Sequence, residues 1–245
     1  LALRSFGVGS LNNIRWFMRW TRVLEAGEPT VPDARAWMHE FLNRRQVFVM
    51  EQRYGLTDPL FRPLMKRRTL QEIALMRKHV TRERIRQIEE ESLEVFGSKL
   101  CRAVGDPLLR HWAYRIRRSG GAVTTAELAD WFGEPTLGGY QPWGLLLMVS
   151  ESTGAITFRH DYFTAAPASA LDRIEAKILR QLQASRQPVP FAEVLAAASD
   201  ELKPLLLDPE RFLTTLLQKH PDIAGTVDRR YFLPAALGPE LVAKI

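Results

Sequence analysis

Apolar positions recur at three- and four-residue spacing through most of the chain. The pattern predicts amphipathic helices around 11–25, 34–54, 69–77, 81–96, 107–118, 125–132, 142–151, 171–184, 191–198 and 209–219. Start signals accompany several of them. Asp106-Pro107 and Asp208-Pro209 each read as a cap residue with proline at the first helical position, and Thr124 stands at capping-box spacing from Glu127. Short β-like runs come late, at Ala155–Phe158, Tyr162–Thr164, Gly225–Val227 and Tyr231–Leu233. The expected fold is mainly α with small β-hairpins.

The back half reads as one unit used twice. The first copy runs from Leu108–Arg118 through Gly121-Ala122-Val123-Thr124, Ala126–Phe132 and Trp143–Ser150. It closes on Gly154-Ala155-Ile156-Thr157-Phe158, a polar turn and Tyr162-Phe163. The second runs from Ile174–Leu182 through Gln187-Pro188-Val189-Pro190, Phe191–Ala198 and Phe212–Lys219. It closes on Gly225-Thr226-Val227 and Tyr231-Phe232. Three helices followed by a hairpin is the order of a winged helix, and 65–75 residues suffice for each copy to fold, with Pro167-Ala168-Ser169 as a linker. The expected divisions are 1–28, 29–100, 101–168 and 169–245.

Composition narrows the classes. The 245 residues are 46% apolar with net charge +6, enough to bury a core and too apolar for wholesale disorder. The charge is unevenly spread: residues 1–120 hold 23 Lys/Arg against 13 Asp/Glu, and residues 121–245 hold 11 against 15. A polyanion partner is therefore expected for the front half alone. The longest apolar run, Leu145 to Val149, is a core segment and far short of a membrane span. The chain starts Leu1-Ala2-Leu3-Arg4, without a signal-peptide pattern or an initiating Met, so a fragment of something longer is the expectation. The single Cys101 excludes an internal disulfide and a thiolate cluster and points to a reducing, cytoplasmic setting. His39, His79, His111, His160 and His220 lack ligand spacing and are expected to be structural or surface residues. Asp/Glu pairs such as Asp200-Glu201 lack the companions of a catalytic set, so neither enzyme, metal nor cofactor is expected.

The most informative run is Val80-Thr81-Arg82-Glu83-Arg84-Ile85-Arg86-Gln87-Ile88-Glu89. Thr81 is a candidate N-cap, and Ile85, Ile88, Leu93 and Phe96 form an inward stripe. Arg82, Glu83, Arg86 and Gln87 then share the outward face, because i and i+4 positions are neighbours. These side chains suit base edges: Arg pairs two acceptors on guanine, Gln pairs adenine, and Glu accepts from cytosine. Thr69–Leu75 supplies the preceding helix of a helix-turn-helix. Residues 62–86 carry nine Lys/Arg and two Asp/Glu, which attracts phosphate. The competing reading is an ordinary solvated helix laced by i,i+4 ion pairs.

Residues 44–96 resemble region 4 of the bacterial sigma-70 family, which reads the −35 promoter element. The resemblance rests on Arg45, Arg53-Tyr54-Gly55-Leu56, Thr69-Leu70-Gln71-Glu72-Ile73-Ala74 and the whole of 80–89. It implies that Arg82, Glu83, Arg86 and Gln87 face bases in the major groove, and that Arg45, Arg53, Thr69, Leu70 and Arg84 lie near phosphates. The basic Lys66-Arg67-Arg68 cluster, Lys78 and Thr81 are added as expected phosphate contacts. The turn Leu75-Met76-Arg77-Lys78-His79 is one residue longer than the family pattern, and Glu90, Glu91 and Glu94 replace its basic tail. More weakly, residues 3–15 are similar to the helix-hairpin-helix in the C-terminal domain of the α chain of RNA polymerase. There Gly7, Gly9 and Ser10 form a turn whose backbone N–H groups can receive a phosphate; a plain turn into a helix is the alternative.

Trp16, Phe17, Trp20 and Trp37 read as core or, alternatively, as a stacking platform for bases, and Trp112, Trp131 and Trp143 as core. Arg159-His160 and Arg229-Arg230 sit in the expected wings, where the negative charge of the back half favours protein contact over DNA. Three readings stay open. One is a sequence-specific double-stranded DNA binder in transcription, bacterial and nucleoid-associated, alongside RNA polymerase. Another is a polymerase-docking or protein-interaction adaptor, and the third is the DNA-targeting segment of a larger enzyme. No complete sigma factor is expected, since nothing resembles the aromatic-rich helix that melts the −10 element. Oligomeric state is left open.

Overall fold

A computed structural model of the chain describes residues 33–58, 67–77, 80–185, 187–205 and 208–237. It is mainly helical, with two small antiparallel three-stranded sheets. In chain order the helices are α1 (Ala34–Phe41), α2 (Arg44–Tyr54), α3 (Leu70–Met76), α4 (Arg82–Gly97) and α5 (Lys99–Arg118), then α6 (Pro142–Thr153), α7 (Ala168–Ala184), α8 (Phe191–Leu202) and α9 (Pro209–Lys219). The strands are β1 (Ala122–Thr124), β2 (Thr157–Arg159), β3 (Tyr162–Thr164), β4 (Val189–Pro190), β5 (Ala224–Gly225) and β6 (Arg230–Phe232). Both sheets place the last strand in the centre, in the orders β1-β3-β2 and β4-β6-β5. Helix, strand, two helical segments and a hairpin therefore recur twice. The second helical segment of the first copy is only a 3-10 turn, Glu127–Trp131.

Local capping sets many of the boundaries. The single helix expected over 34–54 is two, because Asn43 forms a capping box with Gln46 and starts α2 afresh. The helix expected to begin at Pro107 begins at Lys99 instead, capped by the Ser98 side chain, and Pro107 lies inside it. Pro107 sits on the solvent side, where water can serve the carbonyl left without its N–H partner. Meanwhile Cys101, Val104, Leu108, Trp112 and Ile116 bury the opposite face. Asp208 caps α9 with Pro209 at its first position, and Thr124 exchanges hydrogen bonds with Glu127, both as the sequence predicts. The expected linker at 167–169 is absorbed, since α7 starts at Ala168 directly after Pro167. The strands begin or end within a few residues of the predicted runs. β1 and β4 join them only through long-range pairing, Thr124 with Tyr162 and Val189 with Tyr231.

Three apolar clusters organise the packing. The largest draws on residues from Ala34 to Phe163 and so takes in both sides of position 100. The second joins the α7–α9 unit to Ala122 and Tyr162 of the first sheet and to Ala166 just after it. A small third cluster lies between α2, α3 and α4. Trp37, Trp112, Trp131 and Trp143 are core residues, as predicted, whereas Trp16, Phe17 and Trp20 lie outside the described residues.

The first cluster centres on α6, which is buried continuously from Pro142 to Val149. A helix apolar all round has to be enclosed by neighbours. Here they are the ends of α2 and α4 and the β2–β3 hairpin. Gly55 closes α2 in the left-handed conformation at φ 60°, and the Leu56 carbonyl then accepts from Gln141 N at 2.8 Å. Gly144 lies so close to the Tyr54 carbonyl that a Cβ there would fall well inside van der Waals contact with backbone, which cannot rotate away. Gly97 of α4 likewise lies against Ser152 of α6; a Cβ on Gly97 would stand 2.9 Å from that carbonyl oxygen. The Tyr54 hydroxyl donates to Glu151 at 2.6 Å, and burial and this carboxylate together push the phenol far above its ordinary pKa.

Gly144→Ala is expected to destabilise the chain by about 1–3 kcal/mol through overpacking, although helix propensity alone favours alanine by about 1 kcal/mol. Denaturant unfolding reads the sign: a lower midpoint agrees with the close crossing, and an unchanged or higher one contradicts it.

Candidate nucleic-acid interface

The Thr69 hydroxyl accepts from Glu72 N at 3.2 Å while the Glu72 carboxylate accepts from Thr69 N, so α3 opens on a complete capping box. The Thr81 hydroxyl accepts from Arg84 N at 3.2 Å and opens α4. Ile73 and Ala74 of α3 then meet Ile85 and Ile88 of α4 over Val49 of α2, with Phe48, Leu70 and Val80 at the margin. This packing turns Arg82, Glu83, Arg84 and Arg86 outward and leaves Gln87 half-buried.

The outward face is an ion-pair lattice. Arg86 holds Glu83 at 2.8 Å and also pairs with Glu90. Gln87 donates to Glu83 at 3.4 Å and accepts from Arg84 at 3.0 Å, and Arg84 reaches Glu91 at 3.4 Å. The hydrogen bond from Arg86 holds the Glu83 carboxyl below the usual range, and Glu83 in turn keeps Arg86 firmly charged. Water screens such exposed pairs and leaves them weak, so a phosphate or a base acceptor can take Arg86 over at small cost. Among the described residues, Arg82 makes no ion pair or side-chain hydrogen bond.

The expected phosphate residues fall into groups. Arg45 and Arg84 share one hollow with Arg77, Val80 and Ile85. Arg53, Thr69, Leu70 and Arg82 share another with Gln71. Arg53 is also an internal strut: it pairs with the half-buried Glu89 at 2.9 Å and donates to the Arg68 carbonyl at 2.6 Å. Arg67 grips Glu151 of α6 while lying 5.1 Å over the Tyr54 ring; burial alone would lower its pKa, but Glu151 more than offsets this. Arg68 is held by Gln52 and by Asp58 at 3.1 Å. Lys66, Lys78, Gly7, Gly9 and Ser10 lie outside the described residues. Sequence reading did not single out Arg77, whose guanidinium stacks 4.3 Å over Phe48. Its place in the turn was visible, but its aromatic partner one helix earlier was not.

In the back half, the arginines of the two hairpins are engaged. Arg159 bridges Asp172 and Glu175 at 2.7 and 2.8 Å, Arg229 stacks 4.0 Å over Phe191, and Arg230 pairs with Asp228 at 2.9 Å. Two histidines that look isolated in sequence come together, with the His160 and His220 rings 4.7 Å apart. Glu175 Oε1, which accepts no hydrogen bond, lies 3.5 Å from His160. The three groups are close enough to suggest a metal site. However, His220 Nδ1 accepts from Asp222 N at 3.2 Å, which puts the neutral ring's proton on Nε2. A ligating histidine has the opposite wiring, donating through its free nitrogen, so this hydrogen bond speaks against His220 as a ligand.

No family model, curated protein or solved structure matches the chain. Among the described residues, no helix is long and apolar enough to cross a membrane.

Burial, and then the neighbouring His160, lower the His220 pKa below its ordinary value, against the opposing pull of Glu175 and Asp222. The folded state therefore takes up a proton less readily than the unfolded chain. The stability associated with neutral His220 is present above the unfolded pKa of about 6.5 and is lost as pH falls below it. The melting temperature is expected to fall between pH 7.5 and 5.5 by more in the wild type than in His220→Gln. Equal pH dependence in the two proteins would contradict this.

Proposed function

We propose that this chain binds double-stranded DNA sequence-specifically and acts in transcription, with α3 and α4 as its helix-turn-helix. The observation that carries the reading is the packing of α3 on α4. It buries Ile73, Ala74, Ile85 and Ile88 and leaves Arg82, Glu83 and Arg86 exposed on the first two turns of α4, the part of a recognition helix that meets base edges. Arg45, Arg77 and Arg84 on one side and Thr69 and Leu70 on the other suit the flanking phosphates. The resemblance to sigma region 4 supports a bacterial, nucleoid-associated role beside RNA polymerase.

In this reading the two repeated units are winged helices that serve as scaffold. Their strand–helix order and matching sheet orders support that assignment. The third helix of the first unit, α6, is enclosed, and α9 of the second packs Phe212 toward Tyr162 and ties Arg211 to Glu127 at 2.9 Å. A second reading, a protein-docking adaptor, is favoured by Leu75 and Met76. These stand 74% and 50% exposed at the end of α3, an apolar pair suited to another protein.

Fluorescence anisotropy with a labelled duplex of about 30 base pairs tests the DNA reading. Log affinity is expected to fall linearly with log salt. Arg82→Ala with Arg86→Ala is expected to weaken binding at least tenfold, as each good bidentate base contact is worth about 1–3 kcal/mol, with the unfolding midpoint unchanged. Salt-insensitive binding, or a double variant that binds like the wild type, would overturn the assignment.

A further inference from the structure

The most uncompensated charge in the described residues lies outside the helix-turn-helix. Lys99–Arg118 carries six Lys/Arg and one acid, Asp106. Elsewhere most cations are committed to a carboxylate, a carbonyl or an aromatic ring. Among the described residues, Lys99, Arg102, Arg117 and Arg118 make no ion pair, side-chain hydrogen bond or ring contact, whereas Arg110 is tied to Asp106 at 2.6 Å and Arg115 pairs with Glu134 and lies 4.2 Å over the Trp131 ring. At 100° per residue, Lys99, Asp106, Arg110 and Arg117 fall in one line along α5 with Arg102 beside it. The line is opposite the buried Cys101, Leu108 and Trp112. These side chains border one open hollow, floored by Leu109 and Ala113, with the small Ala103 between the cations and Ala155 on the far wall. Tyr114, 58% exposed, stands one turn from both Arg110 and Arg117.

We propose that this face of α5 is a second DNA contact: a sequence-indifferent track for the phosphate backbone of a duplex. From Lys99 to Arg117 the helix rises about 27 Å, roughly the length of eight base pairs at 3.4 Å each. A polyanion with regularly spaced charge matches a net cationic row that long, in which Lys99, Arg102 and Arg117 are unpaired and only the Asp106–Arg110 pair is internally compensated. Alanines between the cations leave room for a sugar–phosphate ridge to approach the helix, and the exposed phenol of Tyr114 can donate to a phosphate oxygen. Near the C-terminal end, the positive charges of Arg117 and Arg118 are also favoured by the helix dipole. The proposal shares the duplex partner of the helix-turn-helix reading but does not depend on base reading by α4.

The test is the triple variant Lys99→Gln, Arg102→Gln, Arg117→Gln in the full chain, titrated against duplexes of several unrelated sequences. Affinity is expected to fall about tenfold or more by the same factor for every sequence. The slope of log affinity against log salt should drop by roughly two to three, near 0.9 for each phosphate no longer neutralised. The three sites are exposed, so the unfolding midpoint should not move. If Arg82→Ala with Arg86→Ala weakens binding while the triple variant keeps the wild-type slope, the α5 track is overturned and the α4 reading stands. A reduced slope in the triple variant beside a silent α4 variant supports the track and overturns base reading. A wild type that binds no duplex, or that prefers vesicles of equal phosphatidylcholine and phosphatidylserine to DNA, overturns both.

Discussion

One helix has no face to give to water, and the rest of the front of the molecule is arranged around that fact. From Pro142 to Val149 every residue of α6 is buried. Leaving any side of that helix open would expose several large apolar side chains at about 1.5–3 kcal/mol apiece. The chain encloses it with α2, α4 and the first hairpin, and the enclosure is tight enough to require glycine at 97 and 144. Glu151, two residues past the apolar run, then ties Tyr54 and Arg67 to the same helix. The consequence for function is geometric. Helix α4, the proposed recognition helix, is fixed at its C-terminal end against α6 and leaves its first turns exposed.

This packing also explains a division of labour among the arginines. Arg53, Arg67 and Arg68 hold the loop before α3 to Glu89, Glu151 and Asp58. Arg82 and Arg86 are held by nothing or by exposed carboxylates that water already screens. Glu89 is half-buried, so loss of Arg53 would leave its carboxylate short of a partner away from water, whereas the outer two arginines can exchange partners. The front half's surplus of positive charge is thus not one footprint. Part of it is consumed internally, part sits on α4, and a large part lies along α5.

How much of this was legible in sequence follows from the range of each interaction. Caps act within four residues, so Thr81 and Asp208-Pro209 mark their helix starts correctly, and Thr124 makes its expected hydrogen bonds with Glu127 although only a 3-10 turn follows. The inward Ile85–Ile88–Phe96 stripe was equally local. The break at Asn43 was missed although its capping box with Gln46 is just as local, because the apolar rhythm runs straight through it. Pro107 misled in the other direction, since an exposed proline on a well-buried helix is tolerated without marking its start. Pairings across 36 or more residues could not be read: Arg53 with Glu89, Glu151 with Tyr54, His160 with His220, and the strands β1 and β4. The basic line of α5 was hidden for a different reason, because the Asp106-Pro107 cap signal cut that helix in two and separated Lys99 and Arg102 from Arg110 and Arg117.

On the proposed function, the exposed first turns of α4 read base edges. Selection of bound duplexes from a random pool tests it most directly. The account predicts enrichment of a short motif by the wild-type chain and loss of that motif, with residual sequence-indifferent binding, in Arg82→Ala with Arg86→Ala. A pool that stays unenriched through repeated rounds, or a motif that survives the double substitution unchanged, would contradict it.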